Sequence, residues 1–128
     1  MKMSEMKSTF ETLDVWKKGR ELRNKISKLT KSFPSEEKYK LTDQMIRASR
    51  SVTANIAEGH GRYHYQENIQ FCRQARGSLF ELIDHLYVAL DEEHIDNNDF
   101  NNYKSYIDEV IRLLNGYIKY LETRKRDK

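Results

Sequence analysis

In the run from Leu41 to Gly59, the apolar residues Leu41, Met45, Ala48, Val52 and Ile56 recur at helical spacing. Ser49, Ala57 and Gly59 keep the adjoining surface thin enough for a second backbone to come close. A helix with an apolar stripe and so little bulk beside it belongs in the core of a bundle of helices.

The remaining composition agrees. Of 128 residues, 34% are charged and 38% hydrophobic, with one proline and five glycines. That balance suits long amphipathic helices and offers little of the turn chemistry a many-stranded fold needs. The length is that of one domain, enough to bury a core without disulfide or metal staples. Cys72 is the single cysteine, so no internal disulfide forms. The N-terminus has no apolar signal core, and no apolar run approaches the ~20 residues that span a bilayer. A soluble cytoplasmic protein without membrane contact is the expectation.

Three further stripes complete the organisation. Val15, Trp16, Gly19, Leu22, Ile26 and Leu29 mark a first helix over 12–30, with Asp14 near its start and Lys28 and Lys31 near its end, as the helix dipole favours. Phe33-Pro34-Ser35 closes it, and Ser35 is placed to cap a second helix over 36–60. Gly59-His60-Gly61 is expected to end that helix. Tyr65, Ile69, Cys72, Ala75, Leu79, Leu82, Ile83, Leu86 and Leu90 predict a third helix over 65–91. Phe100, Tyr103, Ile107, Val110, Ile111, Leu114, Tyr117, Ile118 and Leu121 predict a fourth over 98–122. Short links between four such helices give an all-α, antiparallel up-and-down four-helix bundle. A flexible N-terminal tail over 1–11 and a basic C-terminal tail over 123–128 flank the bundle domain at 12–122.

A family resemblance rests on Phe33-Pro34, on Leu41, Gln44, Arg47 and Ser51, on Asn55-Ile56-Ala57-Glu58-Gly59 with Gly61-Arg62, and on Ala75, Gly77-Ser78 and Glu81. With these residues the chain resembles the four-helix-bundle proteins encoded within intervening sequences of bacterial 23S ribosomal RNA genes, often labelled S23 ribosomal proteins. The likeness runs from about Phe10 to Leu121. That family is similar in turn to the accessory variability proteins of retroelements, which are basic rings that work with a reverse transcriptase on nucleic acid. The resemblance implies a homopentamer around a central channel. One departure stands at the third helix, where the family's capping Ser or Thr three residues before a Glu is replaced by His64.

Several residues invite a chemical reading. Asn55, Glu58, Ser78 and Glu81 are expected to form a buried polar cluster across the second and third helices, structural in role because no nucleophile and base accompany them. The Glu-x-x-His pairs of a bundle di-iron site are missing. Asp91 with His94, and His60 with His64, lack a full ligand set, so no metal or other cofactor is expected. Gly59-His60-Gly61-Arg62 reads as a hairpin turn before it reads as a phosphate loop. Cys72 on its apolar stripe reads as a small core residue, and Trp16 as a packing anchor.

The basic residues carry the functional expectation. The net charge of +3 permits an anionic partner. Arg47 and Arg50 share a face of the second helix, Arg62 follows it, Arg73 and Arg76 stand on the third, and Arg124, Lys125 and Arg126 end the chain. Asp43, Glu67, Glu81 and Asp84 dilute this field on one copy, whereas an oligomer would repeat each strip. The leading expectation is a non-enzymatic oligomer that binds RNA, DNA or another structured nucleic acid through these residues. The alternative is a protein–protein scaffold, or an accessory subunit of a nucleic-acid-processing enzyme, docking through small and tyrosine side chains. An enzyme built on Glu58 and Glu81 ranks last.

Overall fold

The computed structural model describes residues 9–126. Four helices account for most of them: α1 Asp14–Thr30, α2 Leu41–Gly61, α3 Tyr65–Asp91 and α4 Asn97–Arg126. Each helix packs on the next, α4 returns to α1, and among the described residues neither diagonal pair brings its backbones close. Cross-links fix the directions. Along α1 and α4, Lys18 reaches Glu109 while the carbonyl of Lys25 accepts from the Tyr103 hydroxyl. Along α3 and α4, Arg73 reaches Glu122 while the Tyr87 ring meets Phe100 at a tilt. Rising numbers on one helix meet falling numbers on its neighbour, so the bundle is all-α, up-and-down and antiparallel, as the stripes predict.

The stripes converge on one core. Leu22, Ile26, Met45, Val52, Ile56, Leu79, Leu82, Leu86, Ile107 and Leu114 are sealed from solvent. Each such aliphatic side chain is worth about 1.5–3 kcal/mol of transfer free energy. The α2–α3 seam is the tightest. A Cβ built on Gly59 would stand 2.8 Å from the Cβ of Phe71 and 2.8 Å from Asn68 Oδ1, so glycine is what lets these backbones meet.

The helix nevertheless ends within the Gly59-His60-Gly61 stretch, as its sequence predicts. α2 runs through Gly61, and the chain turns at Tyr63, which takes the left-handed conformation at φ 62°. The N-terminal boundary of α2 shifts. Ser35–Glu37 forms a separate 3-10 turn, and α2 begins at Leu41 rather than at 36. Ser35 makes no side-chain cap. The Leu41 amide faces the Glu37 carboxylate closely enough to help hold that carboxyl below its ordinary value.

At the other connection, the α3 carboxyl end closes in a Schellman arrangement, with His94 N–H donating to the Ala89 carbonyl (2.8 Å) and Glu93 N–H to Leu90 (3.0 Å). Glu93 holds the left-handed position at φ 61°. Asp96 Oδ1 then accepts the Asp99 amide at 2.8 Å and caps α4.

Both expected tails need revision. Phe10–Thr12 forms a 3-10 turn whose Phe10 ring meets Trp16 edge-on at 5.1 Å, so residues 9–11 are ordered against α1. The rest of the expected N-terminal tail, residues 1–8, lies outside the described residues, as do 127–128. Residues 123–126 belong to the last turns of α4 and not to a tail.

Candidate nucleic-acid interface

The α2–α3 polar cluster is smaller than its sequence suggests. Asn55 Nδ2 donates to the carbonyl and the hydroxyl of Ser51, both at 2.9 Å, and the Ser78 hydroxyl donates to Ser51 Oγ at 2.9 Å. Ser51, Asn55 and Ser78 therefore tie two helices together. Glu58 and Glu81 are not members: Glu58 is exposed and pairs with Arg62 at 3.1 Å, and Glu81 is exposed and pairs with His85 at 3.0 Å. Four residues apart on one helix, each carboxylate finds its partner on its own surface.

The basic residues divide among faces. Arg47 is exposed on α2 and bonded to Asp43 at 3.0 Å, with Arg50 one turn on. α2 stands diagonal to α4, so this pair does not join the arginines and lysines of the α3–α4 side. Arg62 is held by Glu58, lies 4.0 Å from Glu67 and covers the Phe71 ring at 5.1 Å, which spends its charge locally.

Arg73, Lys125 and Arg126 do converge. They line a groove of ≈ 390 Å³ between α3 and α4 together with Lys119, Gln66, Ile69 and Glu122. Arg73 Nη2 stands 3.8 Å from Glu122, and Lys125 donates to Gln66 Oε1. One turn along α3, Arg76 donates to Asn115 Oδ1 at 2.8 Å and continues the strip. Arg124 is exposed on α4 outside the groove lining. Four cations thus face one carboxylate in a concave strip, an arrangement that attracts phosphate oxygens. Lys119 is the member that sequence reasoning missed. Its spacing from Arg126, two turns along one helix face, was visible, but only if α4 is taken past 122.

A second cavity of ≈ 430 Å³ opens beside the groove at the α2–α3 turn. Tyr63, Tyr65, Tyr117 and Tyr120 line it with His60, His64, Leu13, Asn68 and Leu121. Tyr117 and Tyr120 stack at 6.3 Å between centroids. Asn68, almost wholly buried, donates to the Tyr117 hydroxyl at 3.2 Å, and burial pushes the Tyr117 phenol above its ordinary value. Cys72 lies behind, with its thiol raised to about 12 by burial, which suits a core residue and not a nucleophile. Among the described residues, no three His, Cys, Asp or Glu side chains converge as a metal site. No helix among them is long and apolar enough to cross a membrane.

A four-helix bundle with a cationic side groove and an aromatic end is the class that fold and surface define. Residues 11–116 match the model of the 23S rRNA-intervening sequence protein family, and the chain belongs to that family. A crystal structure of a protein of unknown function from the S23 ribosomal protein family of Bacteroides thetaiotaomicron shares the fold, with TM-score 0.76 and 24% identity over 82% of this chain and 95% of that one. No curated protein sequence matches.

Proposed function

We propose that this protein is a non-enzymatic, cytoplasmic nucleic-acid-binding subunit whose α3–α4 groove takes the phosphate backbone. The observation that supports the reading is the convergence of Arg73, Lys119, Lys125 and Arg126 around the single carboxylate Glu122. Contacts of this kind position a nucleic acid without reading its sequence. Assembly into a homopentamer, which the family resemblance implies, repeats the groove around an axis and multiplies the phosphates engaged.

The test is a salt-series titration of the nuclease-treated protein with RNA and duplex DNA. Binding is expected to weaken steeply with salt, and Lys119→Glu with Arg126→Glu to lower affinity at least tenfold and flatten the slope by about two charges. Salt-independent binding, or binding untouched by the reversals, removes the groove from the reading.

One observation favours a second reading, a scaffold or accessory subunit that contacts another protein. Phe80, Tyr87 and Val88 stand exposed on α3, with Phe80 57% accessible. Under that reading a specific protein partner stays bound after nuclease treatment.

A further inference from the structure

The groove and the aromatic cavity sit on the same pieces of backbone. Tyr65 and Asn68 line the cavity while Gln66 and Ile69, their neighbours in sequence, line the groove. On α4, Tyr120 and Leu121 line the cavity and are bracketed by Lys119 and Glu122 of the groove. A chain lying in the groove therefore reaches the cavity by crossing the last turns of α4.

The cavity is built for a flat, polar-edged guest. Tyr63 is 89% exposed and Tyr120, with one face toward Tyr117, 55% exposed, so both rings offer surface to solvent. Behind them Asn68 and Tyr117 hold each other by a hydrogen bond, and His60 and His64 belong to the same lining. Aromatic faces, hydrogen-bonding edges and an adjoining cationic strip are the components that receive an unpaired base and its phosphates. A duplex keeps its bases stacked and offers nothing to such a cavity.

Tyr63 supplies a further argument. It occupies the left-handed region at φ 62°, where a residue with a Cβ is disfavoured by about 1 kcal/mol relative to glycine. Its side chain contributes nothing to the core in return. A bulky aromatic kept at that cost and turned to solvent beside three other tyrosines fits a contact surface.

Building on the phosphate reading of the groove, we infer that the protein binds single-stranded nucleic acid, with an unpaired base stacked in the Tyr63–Tyr120 cavity and the flanking phosphates in the α3–α4 groove. The groove supplies affinity for any strand, and the cavity distinguishes single strands from duplexes.

The experiment compares a single-stranded oligomer of about 20 nucleotides, the same oligomer with its central bases removed, and a duplex of matched length. The intact strand is expected to bind about tenfold tighter than the abasic one, although both carry the same charge. Tyr63→Gly is expected to erase that difference while leaving the melting temperature unchanged or raised, which a merely structural tyrosine would not do. Equal affinity for intact and abasic strands overturns the base site and leaves the groove standing, provided that both still respond to Lys119→Glu and Arg126→Glu. A difference that persists in Tyr63→Gly also overturns the assignment. Failure of all three probes to bind overturns the groove and the base site together.

Discussion

The two ends of the bundle are made from similar parts and finished in opposite ways. At the end that joins α1 to α2 and α3 to α4, the loops are fastened to each other. His94 Nε2 donates to Glu37 Oε2 at 2.8 Å, with the side chains only 12% and 17% exposed. Phe33 lies against the His94 ring at 5.4 Å and is buried, as is Ile95. At the opposite end α2 passes into α3 through a short turn that leaves Tyr63 exposed, and the ties to α4 there, Asn68 to Tyr117 and Gln66 to Lys125, spring from the first turn of α3. Each end uses one left-handed residue that is not glycine, Glu93 and Tyr63. One such residue organises a sealed junction and the other displays a ring to solvent. Binding surfaces are commonly drawn from the less secured parts of a fold, and this molecule has one end of each kind.

The sharpest way to break the contrast is to empty the fastened end. Phe33→Ala removes a buried ring between the two loops and is expected to cost about 3 kcal/mol, read from the denaturation midpoint, with little effect on nucleic-acid affinity. A loss below about 1 kcal/mol would mean that the two ends are equally loose.

A smaller change of opposite sign is expected from Glu93→Gly. The side chain is exposed and the backbone left-handed, so glycine relieves the strain and stabilises by about 0.5–1 kcal/mol, checked by thermal unfolding. Destabilisation would show that the glutamate side chain contributes to the junction.

The finest distinction is a pH dependence. The His94 hydrogen bond, assisted by the Leu41 amide, holds the Glu37 carboxyl below its ordinary 4.5. A carboxyl depressed on folding stabilises above its unfolded value and loses that contribution as pH falls through the folded one. Glu37→Gln is therefore expected to lower the melting temperature at pH 6–7 and to converge with the parent as pH falls below 4.5 through the depressed folded value. A constant gap across that range would assign the effect to packing instead.

The core was legible because burial in a bundle is periodic. All of Leu41, Met45, Ala48, Val52 and Ile56 are buried, as are Leu79, Leu82 and Leu86 on the facing helix. What escaped the sequence depends on partners from other elements. Gly59 reads as a place where a backbone can come close, but nothing in its neighbours along the chain says that Phe71 and Asn68 are what presses against it. Glu37 looks like an ordinary surface acid, yet its partner is a histidine 57 residues away. Part of the groove was visible in Arg73, Lys125 and Arg126, but charges scattered along the chain do not announce which share a face. Arg47 and Arg50 stand apart because α2 and α4 occupy opposite corners. Tyr65 reads as one more residue of the third stripe, since the cavity it lines needs Tyr117 and Tyr120 from the far end of the sequence.

The run of α4 to Arg126 turns what would have been a loose string of charges into a comb with fixed teeth. Successive positions advance by about 1.5 Å along one rod, so Lys119 and Arg126 keep their separation whether or not anything is bound. A floppy hexapeptide would surrender about 1–2 kcal/mol of backbone freedom for every residue ordered on contact. Here folding has already removed that freedom, and a polyanion meets cations that wait in register.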